Sequence, residues 1–271
     1  MTTGAMVATS QPTATATALQ ILRRGGNAMD AAVAASAVLS VTEPLSTGIG
    51  GDCFLLYHEA AAGKLHALNG SGRAPGRATP NAVRGQGMTE VPERGILSVT
   101  VPGAVDAWQA AVERFGTLDL GALLQPAIEY AEAGFAVTPV VASDWQRQAG
   151  LLRQSADSAR SYLVDNRAPV VGSRHCFPDL ARSLRLIAGQ GKDAFYRGPL
   201  AEEIVRFSHA HNGLLELDDF ASHRSEWVEP VAGDYRGLTM FAVPPTSQGI
   251  TALMTLNILG QADLETLQHL G

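Results

Sequence analysis

One stretch constrains the fold of this chain more than any other, the segment Gly25–His58 with the sequence GGNAMDAAVAASAVLSVTEPLSTGIGGDCFLLYH. Its residues Ala31–Val41 are small or apolar on every side, and a helix that is apolar all round is buried, not amphipathic. Asn27 is a favourable N-cap, and Asp30 stands where it can return a hydrogen bond in a capping box. Pro44 ends the helix, because the residue before a proline is pushed out of the helical region. The segment therefore predicts a helix at the centre of the fold.

Three glycines follow this helix and lead directly into a strand. Gly48, Gly50 and Gly51 form a loop, and we expect them to let another segment pack tightly against the backbone. Residues 53–57 form an apolar strand, and residues 64–68 pair with them across a short turn to make a hairpin. Core helix, glycine loop and core strand together predict the centre of a two-layer domain.

The rest of the chain predicts a mixture of helices and strands in one domain, without internal repeats or a linker-like change of composition. The alternation of apolar residues predicts further strands at 5–9, 96–101, 228–232 and 238–243. Start and stop signals predict a helix capped by Ser10, helices at 104–115, 120–133, 177–187, 199–211 and 249–259 (the last capped by Thr246 or Ser247), a helical hairpin over 139–165, a short helix starting at Asp218 and Asp219, and an irregular loop from 69 to 100. Because a late core helix normally leads into further structure, we expect residues 1–271 to be a single domain that is incomplete at its C-terminus.

Composition narrows the class of protein. Apolar residues make up 46% and charged residues 17% of the 271-residue chain, so a sizeable core can form and general disorder is not expected. The net charge of -6 argues against nucleic acid or an anionic membrane as a partner. Cys53 and Cys176 lie in apolar or strand-like contexts and give neither a disulfide framework nor a metal-binding spacing. The sequence therefore predicts no metal site and no cofactor.

The N-terminal sequence MTTGAMVATSQ does not read as a secretory signal, because it lacks a basic start and a long apolar segment. No run of about 18 apolar residues predicts a membrane-spanning helix. We expect a cytoplasmic protein, or a periplasmic one if a leader has been removed.

Four motifs that resemble functional signatures have simpler explanations. The glycine loop lacks the third glycine of a dinucleotide site and is followed by a strand, not a helix. His209 and His211 are two residues apart on a helix, so they do not share a face as metal ligands would. The segment 245–249, PTSQG, departs from a serine nucleophile elbow because proline replaces its first glycine. Asp218 and Asp219 fit a solvated helix N-terminus.

Ser71, Arg73, Arg77 and Arg84 are stronger candidates for a binding site. They lie in the long Gly/Pro loop that follows a core strand, where a guanidinium can point into a cleft. Arginine presents a planar fork that suits a carboxylate, although solvated surface charge is an equally simple interpretation of the composition. The chain contains no self-contained catalytic constellation, which fits a chain that supplies the walls of a site and not its nucleophile.

The segment Gly25–His58 resembles the signature of the gamma-glutamyltranspeptidase family near the start of its large subunit. Further blocks agree with the family in order: SVTVPGAVDAW at 98–108, FGTLDLGALLQPAIEYAEAGFAVT at 115–138, FYRGPLAEEIV at 195–205 and EPVAGDYRGLTMFAVPPTSQG at 229–249. The resemblance covers nearly the whole chain. It implies an α+β fold, the four-layer αββα sandwich of the N-terminal-nucleophile hydrolases, completed by a second, small subunit.

The resemblance also implies a mechanism and a partner. In this family the precursor cleaves itself, and the new N-terminal threonine of the small subunit is the nucleophile, with its own α-amine as base. The chain here then looks like most of a large subunit, with no catalytic residue of its own, a small subunit from the same precursor as partner and a small-molecule amide as substrate.

One family contact falls inside this chain and departs from the transpeptidase pattern. Transpeptidases hold the glutamyl α-carboxylate with an arginine four residues before an Ala-Pro proline, in a pattern like R-E-x-A-P. Here Ser71 occupies that position, and Arg73 lies two residues later. The SGRAP-like loop resembles acylases that remove glutaryl or related side chains from cephalosporins. We therefore expect an acylase-type member with Arg73 and Ser71 as substrate-binding residues. An ordinary gamma-glutamyltransferase or glutathione hydrolase, and a non-catalytic binding or scaffold member, are the alternatives.

Overall fold

The computed structural model describes residues 4–262. Twelve α-helices and seven strands lie within this range. The helices are α1 Pro12–Arg23, α2 Ala28–Thr42, α3 Pro80–Gly85, α4 Ala104–Phe115, α5 Leu120–Ala133, α6 Pro139–Leu152, α7 Ala156–Tyr162, α8 Pro178–Gln190, α9 Asp193–Tyr196, α10 Pro199–Ala210, α11 Leu217–Ala221 and α12 Gly249–Leu259. The strands are β1 Cys53–Glu59, β2 Lys64–Gly70, β3 Phe135–Ala136, β4 Arg174–His175, β5 Glu226–Val228, β6 Val231–Tyr235 and β7 Leu238–Ala242.

The predicted central helix is α2, and its local signals act as the sequence indicates. The Asn27 side chain accepts hydrogen bonds from the N–H groups of Met29 and Asp30, and the Asp30 carboxylate accepts one from the N–H of Asn27. Most of α2 is buried, including Val38 and Val41 with no exposed surface. Helices α1 and α5 pack against it on two sides. An apolar helix is thus covered by neighbours, as predicted.

The predicted hairpin is the centre of a three-stranded antiparallel sheet. Cys53 of β1 lies opposite Gly70 of β2, and β5 joins the other edge of β2 with Glu226 opposite Asn69. Helix α4 packs on this sheet and also contacts α2. The sheet therefore brings the end of β2 and the start of β5 side by side, next to the first turn of α4.

A second part of the core is aromatic. Trp145 of α6 is fully buried, with its ring centroid 4.9 Å from that of His175. Phe177 lies 4.7 Å from the same histidine. Burial lowers the pKa of His175, and its hydrogen bond with the carbonyl of Ser161 opposes that shift only in part.

Two predicted strands and two predicted caps are wrong, and the strand predicted at 228–232 is divided between β5 and β6. The N-cap of α12 is Gln248, not Thr246 or Ser247. Residues 5–9 form no strand, and residues 96–98 form a 3₁₀ turn where the sequence predicts a strand. The N-cap of α1 is Gln11 and not Ser10, whose hydroxyl donates to the Glu43 carboxylate. Short apolar runs are ambiguous because they carry too few residues to establish a period.

Some large apolar side chains of the described residues remain exposed. Phe54 and Leu56 lie on the outer face of β1, while Ile258 of α12 is 71% exposed and Leu238 of β7 is 65% exposed. Only Leu253 of α12 is buried, although this helix is apolar on nearly every side. A helix of this composition normally lies in a core. None of the described helices is long and apolar enough to cross a membrane.

Candidate functional site

The candidate site is built where three backbone segments approach one another closely. The carbonyl of Gly51 accepts hydrogen bonds from the N–H groups of Gly103 and Ala104, both at 2.9 Å. The N–H of Val101 donates to the carbonyl of Arg73 at 3.0 Å. The glycine loop, the loop after β2 and the entry to α4 are therefore fixed to one another through their backbones.

The close approach depends on glycines other than the ones singled out in the sequence. A Cβ on Gly72 would lie 1.5 Å from the Val101 carbonyl oxygen, and a Cβ on Gly103 would lie 2.0 Å from the Gly70 carbonyl oxygen. A Cβ on Gly48 or Gly50 would meet no described atom within 4 Å. Another segment does pack against the backbone of the 48–51 loop, at the Gly51 carbonyl, but the positions that a Cβ would crowd are Gly72 and Gly103.

Ser71 is half-buried, and its polar groups are bonded within the site. Its hydroxyl donates to Oδ2 of Asp52 at 3.3 Å, and its N–H donates to Oδ1 of Asn69 at 3.0 Å. The N–H of Gly72 donates to the other oxygen of Asp52 at 3.0 Å. A carboxylate thus holds the first two residues of the loop, at the position where the family pattern has an arginine.

Arg73 carries the exposed cation of this loop. Its guanidinium donates to Oε1 of Glu226 at 2.8 Å, and its side chain is 76% exposed. This contact uses one nitrogen of a fork that has five N–H donors. The remaining donors make no hydrogen bond to the residues described in 4–262. Arg73 therefore has capacity for a second carboxylate beside Glu226.

His223 lies near this cation and does not add to its charge. Its ring stacks on Tyr196, with centroids 5.2 Å apart. Burial lowers the pKa of His223; the Asp106 carboxylate opposes the shift, and the cations of Arg73 and Lys192 add to it. The imidazole is therefore neutral at neutral pH, which leaves the guanidinium of Arg73 as the group suited to an anion.

The other two arginines of the candidate set lie elsewhere on the loop. Arg77 pairs with Glu216, which stands just before α11. Arg84 lies in the last turn of α3. The structure therefore brings Ser71 and Arg73 together at the end of β2 and separates Arg77 and Arg84 from them.

The motifs given simpler explanations in the sequence have ordinary structural roles. His209 bonds the carbonyl of Leu215, and His211 bonds the carbonyl of Phe207. Asp219 closes a capping box at the start of α11. No group of three or more metal-ligating side chains occurs among residues 4–262. Burial, together with the negative charge of the neighbouring Asp52, raises the pKa of the Cys53 thiol to about 11, so it is not an activated nucleophile.

Four residues of this region do not emerge from the sequence analysis: Asp52, Asp106, Lys192 and Glu226. Asp106 carries a signal, since it is a charged residue inside the apolar run Val105–Trp108. A carboxylate in such a run is buried only when it is paired. Glu226 carries no comparable signal, because its partner Arg73 is 153 residues away in the sequence.

The chain is similar in sequence to proenzymes of two types. The chain is 42% identical over 251 residues to a glutathione hydrolase-like proenzyme of Bacillus subtilis, covering 92% of this chain and 47% of the relative. It is 38% identical over 272 residues to an acylase proenzyme of a Pseudomonas species, covering 97% of this chain and 49% of the relative. The chain thus spans about half the length of the curated relatives it matches.

The chain is also similar in structure to two solved proteins of the same types. The chain superposes on the gamma-glutamyltranspeptidase of Helicobacter pylori with a TM-score of 0.91 at 32% identity, covering 100% of this chain and 79% of that one. It superposes on a cephalosporin acylase of Bacillus halodurans with a TM-score of 0.88 at 43% identity, covering 93% of this chain and 48% of that one. These likenesses confirm the expected α+β class and the αββα fold of the N-terminal-nucleophile hydrolases.

The family model described as gamma-glutamyltranspeptidase matches residues 14–270. This range includes the buried helix α2, the central hairpin and the loop that carries Ser71 and Arg73. The match extends over nearly the whole chain, so the chain belongs to the gamma-glutamyltranspeptidase family.

Proposed function

We propose that residues 1–271 are most of the large subunit of an autoprocessed amidohydrolase of the acylase type. Its substrate is an amide whose acyl group carries a terminal carboxylate, of the glutaryl or gamma-glutamyl kind. The small subunit from the same precursor supplies the N-terminal threonine that attacks the amide. The acylase and cephalosporin acylase names of two of the relatives support this choice.

The observation that carries the proposal is the position and exposure of Arg73. Its guanidinium stands at the end of β2, bonded to Glu226 through one nitrogen and otherwise open. A carboxylate that enters beside Glu226 can accept from the unused donors, and charge-assisted hydrogen bonds of this kind are the strong ones. Arg73 would then bind and orient the far end of the acyl group.

Ser71 supports an acylase over a transpeptidase. The transpeptidase pattern has arginine at this position, whereas here a hydroxyl is bonded to Asp52. A substrate carboxylate placed beside Ser71 would lie next to the Asp52 charge, which repels it. A carboxylate beside Arg73 also lies near the Glu226 charge, but there it can accept from the unused donors of a guanidinium. We therefore expect the carboxylate of the acyl chain to bind two residues further along the loop.

The exposed apolar surface supports a partner subunit. Ile258 and Met254 of α12, with Leu238 of β7, are large apolar side chains that remain more than half exposed. Removing apolar surface from water is the dominant favourable contribution to most protein–protein association. The proposed precursor provides both the rest of the large subunit and the small subunit, and we propose that the small subunit covers this surface.

In the proposed reaction this chain binds and orients, and its partner carries out bond cleavage. The threonine hydroxyl attacks the amide carbonyl while its α-amine accepts the proton. The amine leaves with a proton, and water then attacks the acyl-enzyme to release the carboxylic acid and restore the threonine. By holding the acyl carboxylate, Arg73 would fix where the amide carbonyl lies relative to the threonine hydroxyl throughout these steps.

The test uses the complete processed enzyme and two substrates that differ by one charge. Arg73→Ala should raise KM about 10- to 100-fold for a glutaryl amide, the range for loss of a hydrogen-bonded charge pair, and change KM little for an uncharged acyl amide of equal length. Arg84→Ala is the matched control, because it removes an exposed arginine of the same long loop without touching the site. Equal effects of Arg73→Ala on both substrates would remove Arg73 from the site.

A glutathione hydrolase or transferase is the second candidate, and the glutathione hydrolase-like relative from Bacillus subtilis favours it. Measuring kcat/KM for a glutaryl-cephalosporin and for gamma-glutamyl-p-nitroanilide distinguishes an acylase from a glutathione hydrolase or transferase. A higher kcat/KM for the gamma-glutamyl substrate would replace the acylase reading. A small subunit without an N-terminal threonine would replace both readings with a non-catalytic one.

A further inference from the structure

Asp106 is a charged side chain buried in the first turn of α4, and only 2% of its surface is exposed. Oδ1 accepts a hydrogen bond from Nζ of Lys192 at 2.7 Å, and Oδ2 accepts one from the N–H of Ser225 at 2.5 Å. Burial opposes the charge on this carboxylate, but the bonds from Lys192 and Ser225 outweigh burial and hold the pKa of Asp106 below its usual range. Asp106 is therefore an anion with partners on two separate segments of the chain.

The Ser225 contact joins this anion to the candidate site. Ser225 directly precedes β5, whose first residue, Glu226, lies opposite Asn69 of β2. Glu226 in turn accepts a hydrogen bond from the Arg73 guanidinium at 2.8 Å. A continuous path thus leads from the buried pair to the exposed guanidinium, through one backbone N–H and one residue of a strand.

Stability alone is a weak reason for such a pair. Asp106 loses nearly all of its hydration while Lys192 stays 38% exposed, and replacing a buried charge and its partner by well-packed apolar residues is often neutral or stabilising. The Arg73–Glu226 pair is exposed, and exposed pairs hold their geometry weakly. Such a pair can orient Arg73 only if the backbone of Glu226 is itself fixed, and the bond from Ser225 to Asp106 fixes it together with the pairing of β5 with β2.

We propose that Asp106, held by Lys192, is a positioning residue for Arg73 and acts on it through Ser225 and Glu226. It contacts no substrate. Its catalytic consequence rests on the proposed function, because it matters for turnover only if Arg73 binds the acyl carboxylate. The geometric coupling itself is independent of what the enzyme cleaves.

The first experiment measures the coupling without any substrate. Phenylglyoxal labels arginines, and mass spectrometry of the Arg73 peptide gives its labelling rate in the complete processed enzyme. Glu226→Gln should raise this rate about threefold, the size expected for release of one exposed ion pair. Asp106→Asn should raise it by a similar factor, and the double variant should label no faster than Glu226→Gln alone. The Arg84 peptide serves as the internal reference and should label equally in all four proteins.

An Asp106→Asn rate equal to wild type, or additive effects in the double variant, would overturn the proposal. If Asp106→Asn does not give a cooperative thermal transition, Lys192→Met takes its place, because it removes the hydrogen bond that holds Oδ1 of Asp106 and so loosens the contact of Oδ2 with Ser225. Lys192→Met should also raise the Arg73 labelling rate, and an unchanged rate would overturn the proposal.

The second experiment measures turnover and separates the two proposals. Asp106→Asn should raise KM for the glutaryl amide with little change in kcat, and it should have no further effect when Arg73 is already alanine. Coupled labelling without a selective change in KM would leave Asp106 as the positioning residue and reject Arg73 as the substrate contact. Uncoupled labelling with a selective effect of Arg73→Ala on KM would keep Arg73 as the substrate contact and reject Asp106 as its positioning residue.

Discussion

The hydroxyl of Thr117 donates to Oδ2 of Asp30 at 2.6 Å, and the N–H groups of Thr117 and Leu118 donate to the same carboxylate. Asp30 also closes the capping box of α2 with Asn27. One buried side chain therefore begins the central helix and anchors the turn between α4 and α5. Burial opposes its charge, but the hydrogen bonds outweigh burial and lower the pKa of Asp30.

Asp30→Ala should lower the free energy of unfolding by about 2–4 kcal/mol, because four donor groups, from Asn27, Thr117 and Leu118, lose a buried charged acceptor. Asp119→Ala, which removes the exposed N-cap of α5, should cost only about 1 kcal/mol. Urea unfolding of the complete enzyme, followed by circular dichroism, measures both. Since the folded pKa of Asp30 is lowered, its contribution is complete above about pH 4 and is lost as the pH falls through that folded pKa. Equal costs for the two variants would contradict the anchoring role.

His175 should make stability depend on pH in the range below neutrality. Its folded pKa is lowered by burial, so the unfolded chain binds a proton at about pH 6.5 while the folded protein resists it. The free energy of unfolding is then highest above that pH and falls as the pH is lowered from 7 to 5. His175→Phe keeps an aromatic ring beside Trp145 and should flatten this slope, as measured by urea unfolding at several pH values.

The control for His175 disturbs the same aromatic cluster without removing a titrating group. Phe135 lies 6.4 Å from His175, and Phe135→Leu should lower stability by the same amount at pH 5 and pH 7. A His175→Phe variant with the wild-type slope would show that burial of this histidine does not control the pH dependence.

Gly72→Ala should disturb the site through crowding. The added Cβ would lie 1.5 Å from the Val101 carbonyl oxygen, so the loop must move away from the entry to α4. Overpacking of this kind costs about 1–3 kcal/mol or more. We expect a lower thermal midpoint and a higher KM for the glutaryl amide.

Gly85→Ala is the matched control for Gly72→Ala, because a Cβ at Gly85 meets no described atom within 4 Å. Its effect on stability should stay within about 0.5 kcal/mol. If Gly72→Ala had the same thermal midpoint and KM as Gly85→Ala, the close contact between Gly72 and Val101 would not limit the side chain at position 72.

Ile258→Asp should weaken association with the small subunit while leaving the large subunit folded. The side chain is 71% exposed in α12, so the large subunit loses little packing, whereas the proposed interface would bury a charge. Val140→Asp changes a similarly exposed residue of α6 and should leave association unchanged. Co-purification of the two subunits after processing measures this effect. Full recovery of the small subunit with Ile258→Asp would place the interface elsewhere.

Helix α2 and the central hairpin could be predicted from the sequence because their signals are local. The capping box spans Asn27 and Asp30, three residues apart, and the hairpin strands are joined by a short turn. The helical pattern of 139–165 was also sufficient to predict α6 and α7, although α6 buries Trp145 in the core. The failures, at 5–9 and 96–101, are short apolar segments whose backbone conformation depends on the neighbours they contact.

The candidate site was predictable only in part. Ser71 and Arg73 could be chosen because they lie in a Gly/Pro loop after a core strand and stand at a position that differs from the transpeptidase pattern. Their partners Asp52 and Glu226 could not, because polar residues near a loop are common and nothing local distinguishes these two. Whether Ser71 and Arg73 contact substrate stays a prediction.

The sequence by itself determined the family, the buried central helix and the hairpin, since each depends on residues close together in the chain or on an ordered series of motifs. Only the tertiary structure decided that Arg73 pairs with Glu226 and that Asp106 joins Lys192 to Ser225. These partners are 153, 86 and 119 residues apart, and an ion pair has no sequence period that would reveal its mate. Their distances follow from how β2, β5 and α4 pack, because it is packing that brings remote polar groups within hydrogen-bonding range.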